Sequence, residues 1–181
     1  MIIIKSLDSI ALDIATHIKT VVPNHPSSIS VLKYGIAVVI NTVSIIFLTI
    51  GISFFTGKVQ ETVMAMISFS LLRQVVGGIH LKSSAVCIVA STSLLTALSF
   101  ANFNYNWIVV TSILSILLVL FYAPSRVEGR TRIPKRYFLL LKFIGVVLVA
   151  FNLWMAFPVV AASFFAQSLT LIEGGVKNEK K

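Results

Sequence analysis

Charged side chains are scarce in this chain. They make up 12% of its 181 residues, six residues are acidic, five are proline, and one is cysteine. Each shortage excludes something. With 57% hydrophobic residues and a mean hydropathy of +0.96, a soluble domain of this length has too little polar surface to cover itself. Globular chains run nearer half apolar and a quarter charged. Lipid must therefore take the place of a core. The one cysteine, Cys87, cannot close an intramolecular disulfide, so its thiol is free, buried or reactive. No polar linker divides the chain, which fits a single membrane-embedded domain over residues 1–181. No cluster of histidine, cysteine and carboxylate shows ligand spacing, so neither a metal nor another cofactor is expected.

What charge there is leans one way. Fifteen lysines and arginines against six acids give a net +9. These cations fall in the gaps between apolar runs, not along one soluble face. That placement speaks for positive-inside topology and attraction to an anionic inner leaflet, and against nucleic acid.

The first 22 residues read as an amphipathic helix lying in the membrane interface. Ile3, Leu7, Ile10, Ala11, Ile14 and Ile18 recur at helical spacing, with Lys5, Asp8, Asp13, Thr16 and Lys19 between them. Pro23 and Pro26, with Asn24 and Ser27-Ser28, end it. Six apolar segments follow, at about 33–55, 61–78, 84–101, 107–122, 137–155 and 159–172, the last after a break at Pro158. The expected architecture is all-α: six transmembrane helices over 33–173, the interfacial helix before them, and a polar cytoplasmic tail at 174–181. If every segment crosses from a cytoplasmic N-terminus, the cations collect inside and only Lys58 falls outside. Both termini are then cytoplasmic, and so is the window that holds His80 and Cys87.

That window carries the chemistry. Gly77-Gly78-Ile79-His80 precedes Cys87 by seven residues, at the junction of an apolar and a basic stretch. In one unbroken helix the two side chains would share a face yet lie about 10 Å apart along the axis. A working pair therefore needs a bend between them. Gly77-Gly78 supplies a helix end, and Lys82-Ser83-Ser84 supplies a polar turn. With Ser84 as cap, Cys87 falls in the first helical turn, where free amides and the helix dipole favour a thiolate and an oxyanion. His80 would then exchange the proton, and the glycines would let a substrate backbone come close.

Bland readings stand beside these. A lone cysteine in an apolar helix is usually a small buried hydrophobe, a histidine at an interface is often solvated, and paired glycines often serve helix packing. Arg73 tips the balance, because an arginine inside an apolar segment needs a partner or a task. The stretch from Pro124 to Arg136, with Arg126, Arg130, Arg132, Lys135 and Arg136 against Glu128, reads first as a positive-inside anchor. It reads second as a clamp for an acidic peptide. No acid near the pair in sequence offers a third, orienting residue.

The order and spacing of Arg73, Gly78, His80 and Cys87, and the later Phe121-Tyr122-Ala123-Pro124 before a basic loop, resemble the accessory gene regulator B (AgrB) family of membrane peptidases. The resemblance implies a cysteine endopeptidase that removes the C-terminal part of a small amphipathic pro-peptide. Cys87 would be the nucleophile and His80 the general base. A thioester acyl-enzyme would be resolved as the cyclic signal of quorum sensing. Arg73, Gly77, Gly78, Ser84 and Lys135 would bind substrate or support the site, and a homodimer is left open. From another class, a non-catalytic transporter or exporter subunit with Cys87 as packing remains the alternative.

Overall fold

The computed structural model describes residues 7–78, 83–124 and 135–176. Among them every regular element is helical. The elements are α1 (Leu7–Val21), α2 (Ile29–Thr56), α3 (Val59–Val76), α4 (Ser84–Leu98), α5 (Tyr105–Tyr122), α6 (Phe138–Met155) and α7 (Pro158–Val176), with a single 3-10 turn at Lys135–Tyr137. Chain punctuation sets most boundaries. The prolines at 23 and 26 separate α1 from α2, and Ser28 caps α2 through its hydroxyl to the Val31 amide at 3.4 Å. Gly57, at φ +69°, lets the Lys58 amide fold back to the Ser53 carbonyl at 3.1 Å and ends α2. Pro158 takes the first helical position of α7, where its missing N–H costs nothing.

Three helices, α2, α5 and α6, are long and apolar enough to cross a bilayer. Helix α4 and the 158–172 stretch of α7 are apolar but shorter. Helix α3 has the length, 18 residues, but Gln60, Glu61, Arg73 and Gln74 lower its hydropathy. The apolar helices make this a membrane protein. Its large side chains face outward accordingly: Phe47, Phe54, Phe55, Phe121, Leu139 and Trp154 are each at least 70% exposed.

The residues fall into two compact units, Met1–Ile52 with His80–Leu94, and Ser53–Ile79 with Leu95–Lys181. In the first, α1 does not bury the whole stripe expected of it. Ala11 and Ala15 are buried, whereas Ile10 and Ile14 stay open. The small residues, one turn apart, allow close approach, and the larger ones are left for lipid.

The second unit packs α3, α5, α6 and α7 together. Leu72, Val76, Val119, Ala123, Val149, Phe164 and Leu171 form its core. Gly145 of α6 lies where α6 meets α3 and α5. A Cβ there would come within 2.6 Å of Val76 Cγ1 and 3.2 Å of Val119 Cγ1. The ends of α3 and α7 that begin these helices meet the end of α6, around a cavity of about 420 Å³ lined by Lys58, Glu61, Ser99, Asn102 and Pro158. At the other end, Lys142 Nζ of α6 donates to the Leu120 carbonyl of α5 at 2.7 Å. Helices α3, α5 and α7 thus run one way and α6 the other.

Overpacking decides the effect of substitutions at two helical glycines. Nothing lies within 4 Å of a Cβ added at Gly35, so Gly35→Ala should gain up to about 1 kcal/mol from helix propensity. Gly145→Val should lose about 2 kcal/mol or more, because valines on two neighbouring helices would have to move. Unfolding free energies in mixed micelles check both. A Gly145→Val protein as stable as wild type would contradict this packing.

Candidate active site

Helix α4 begins one residue earlier than a Ser84 cap requires. The Cys87 amide donates to the Ser83 carbonyl at 3.0 Å, so Ser83 holds the cap position and Ser84 is the first helical residue. This corrects the assignment of Ser84 as the cap. Cys87 is therefore the fourth helical residue, and its own amide is already bonded. The N–H groups without intrahelical acceptors are those of Ser84, Ala85 and Val86. The thiol is free and half-buried, at the edge of a buried stripe made by Ser84, Ile88 and Thr92.

Ser84 has a different use. Its hydroxyl donates to Asp8 Oδ1 of α1 at 2.6 Å, across 76 positions of sequence. Both residues belong to the first unit. A carboxylate therefore stands at the N-terminal turn of α4, three residues from the cysteine, where the helix dipole stabilises negative charge. Sequence reasoning missed this, because it looked for an acid near Cys87 along the chain. The available signal was Asp8 itself, an acid on the polar face of the amphipathic α1.

His80 and Lys82 lie outside the described residues, as do Arg126, Arg130 and Arg132. Lys135 opens the 3-10 turn, and its side chain lies outside what the structure describes. Beside it, the Arg136 guanidinium stacks over the Tyr137 ring at 4.8 Å.

The other predicted residues sit in the second unit. Arg73 is half-buried in the last turn of α3, where a cation faces the negative end of the helix. Its carbonyl accepts the Gly77 amide at 2.9 Å. Gly77 and Gly78 have φ of +81° and +147°, a region L side chains rarely adopt. The space a Cβ would need at Gly78 is already taken. Thr170 Oγ1 lies 2.8 Å and Gln167 Nε2 3.0 Å from that point. Helix α7 thus accounts for the missing side chain at Gly78. Gln167 Nε2 also donates to the Gly77 carbonyl at 2.7 Å. Among the described residues no group of histidine, cysteine and carboxylate side chains is arranged to hold a metal ion.

With this geometry in place, residues 12–173 match the accessory gene regulator B family. The chain belongs to that family. A putative AgrB-like protein of Halalkalibacterium halodurans is 29% identical over 120 residues, 65% of this chain and 60% of the relative. A putative AgrB-like protein of Clostridium acetobutylicum is 30% identical over 103 residues, 54% of this chain and 49% of the relative. The accessory gene regulator protein B of Staphylococcus aureus is 23% identical over 143 residues, 77% of this chain and 75% of that protein. The chain thus spans about half to three-fifths of the first two relatives' length. No solved structure matches it. Membership ties the chain to the accessory gene regulator quorum-sensing system.

The Asp8–Ser84 bond should couple α1 to α4. In a double-mutant cycle of Asp8→Ala and Ser84→Ala, unfolding in detergent should give a coupling of about 1 kcal/mol, as for a part-exposed bond to a charged acceptor. Strictly additive losses would show that the two side chains do not act together.

Proposed function

We propose that this protein is a membrane-embedded cysteine endopeptidase that matures a peptide pheromone. The observation that carries the reading is the position of the chain's one cysteine. Cys87 is half-buried in the first turn of an apolar helix, in a member of the accessory gene regulator B family.

The chemistry follows from that position. Cys87 Sγ attacks the scissile carbonyl of a bound pro-peptide while His80 takes the thiol proton. The oxyanion of the tetrahedral intermediate lies against the amides of Ser84, Ala85 and Val86. Collapse breaks the peptide bond, leaves a Cys87 thioester, and sends the proton from His80 to the departing amine. A side-chain nucleophile of the peptide then attacks the thioester, closing the ring and releasing the Cys87 sulfur. Low water at the membrane boundary favours that ring closure over hydrolysis.

The substrate is a small amphipathic pro-peptide whose helix lies in the interface beside α1. The open Ile10 and Ile14, 37% and 42% exposed, offer it an apolar strip. Six crossings with both termini and the active site cytoplasmic complete the reading. Within the second unit, the alternating run of α5, α6 and α7 supports it. So does the Lys58 ammonium, paired with Glu61 at 3.1 Å on the far end from Arg73 and Lys142. Trp107 and Trp154, 60% and 81% exposed, belong to the Lys58 end, as an interfacial belt requires.

Two experiments test the reading. Cys87→Ser and His80→Ala are each expressed with a short amphipathic pro-peptide bearing a central cysteine or serine and an acidic end. Each should lower maturation at least ~100-fold at wild-type membrane abundance. Full maturation by either variant would leave the non-catalytic reading. Removing residues 1–20 should also abolish processing, and undiminished product from the shortened chain would rule out α1 as a docking partner.

A further inference from the structure

The cavity at the Lys58 end of the second unit has no part in the reaction proposed above. Its volume of about 420 Å³ lies in the range of small-molecule sites. All of its walls belong to this one unit: the start of α3, the 99–102 turn and the α6–α7 turn. Two of these walls are held by hydrogen bonds. Asn152 binds the amide and the carbonyl of Phe157, at 3.3 and 3.2 Å, and so fixes the α6–α7 turn. The Lys58 amide on the Ser53 carbonyl, at 3.1 Å, fixes the entry to α3. The hollow is therefore preformed.

Its lining combines charge of both signs with aromatic surface. Lys58 Nζ and Glu61 Oε1 pair at 3.1 Å, yet their side chains stay 40% and 35% exposed. An ammonium has three donors and a carboxylate about four acceptor positions, so each has room for a further partner. The first turns of α3 and α7 also line the cavity, and their leading amides have no intrahelical acceptor. Those amides and Lys58 favour an anion, whereas Glu61 beside them favours a cation. A simple ion of either sign would thus meet one like charge. A compact molecule that carries both signs would meet neither. Phe100 and Phe157, both exposed, add an apolar flank.

The surroundings indicate where such a molecule comes from. Phe54 and Phe55 precede the Gly57 turn, Trp107 lies in the first turn of α5, and Trp154 in the last turn of α6; all four are exposed. Exposed aromatic rings at one end of apolar helices mark the level of lipid headgroups. The geometry points to a lipid site that takes a phosphoethanolamine headgroup. Its phosphate lies at Lys58 and the starts of α3 and α7, its ammonium at Glu61, and its glycerol end against Phe100 and Phe157.

The test uses the full chain in dodecyl maltoside, titrated with dioleoyl phosphatidylethanolamine, phosphatidylcholine or phosphatidylglycerol, with bound lipid read by native mass spectrometry. One phosphatidylethanolamine per chain should bind about tenfold more tightly than either of the others. The trimethylated ammonium of phosphatidylcholine has no N–H for Glu61, and phosphatidylglycerol brings an anion without a cation. Glu61→Gln should erase the preference over phosphatidylglycerol, an effect that a merely structural pair would not have. Asn102→Trp, in an exposed turn that lines the cavity, should block uptake of all three lipids. Free O-phosphoethanolamine should displace the lipid only in large excess; displacement at equal concentration would make a soluble headgroup the occupant and overturn the lipid assignment. Equal affinity of the wild-type chain for the three lipids would overturn the site without recourse to any variant. Unchanged selectivity in Glu61→Gln would do the same.

Discussion

In a hydrocarbon environment every backbone donor and acceptor must be paired within the protein, and the ends of helices are where pairing runs out. Much of the second unit can be understood from how those ends are closed. The last turn of α3 is closed by its own Gly77 amide on Arg73 and by Gln167 on the Gly77 carbonyl. At the end of α5, the Ala123 amide returns to Val119, and Lys142 of α6 bonds the Leu120 carbonyl. Asn152, 2% exposed, closes the α6–α7 turn by binding both the amide and the carbonyl of Phe157. Each of these three ends uses a long or amide side chain from a different turn or helix. Polar residues are therefore placed where the backbone fails, not scattered through the apolar segments.

Closing the ends this way fixes what the interior is made of. Lipid removes the hydrophobic drive for one helix to seek another, so close approach and shared hydrogen bonds must do that work. Ser112 and Ser115 of α5, Ala161, Ala162 and Ser163 of α7, and Gly145 of α6 are buried, while leucine, phenylalanine and tryptophan cover the outside. The hydroxyls of Ser115 and Ser163 bond back to carbonyls four residues earlier, so small size comes without an unpaired donor. Among the described residues Ser112 and Ser168 find no such partners and are the exceptions.

This division explains what the sequence made legible. Helix positions follow from apolar runs broken by proline and glycine, both local signals, and the starts of α4 and α7 fall within one residue of expectation. Length matters too. Three of six apolar segments meet the length and apolarity of a span, because α3 carries four polar residues and α4 ends at Leu98. What stayed hidden depends on pairs far apart in sequence. Asp8 and Ser84 are 76 positions apart, and Gln167 and Gly77 are 90. Periodicity assigns a residue to a face but does not say which carbonyl or hydroxyl another helix will present there. The burial of Ala11 and Ala15 in place of Ile10 and Ile14 has the same origin: hydrophobicity alone does not separate a lipid face from a packing face.

The same distinction bears on the proposed chemistry. A nucleophile deep in a span would be starved of the peptide, and one in open water would hydrolyse its own thioester. Cys87 stands between these limits. It is three residues, roughly 5 Å of helix rise, beyond the first residue of α4, and its neighbours Ile88 and Thr92 are buried while Val86 and Val89 are exposed. Bonding of its own amide to Ser83 moves the free amides outward by one residue, to Ser84, Ala85 and Val86. Had Ser84 been the cap, the nucleophile would lie one residue nearer that end. A one-residue shift in a helix start thus sets the depth of the sulfur, and any account of specificity in this site has to begin from that register.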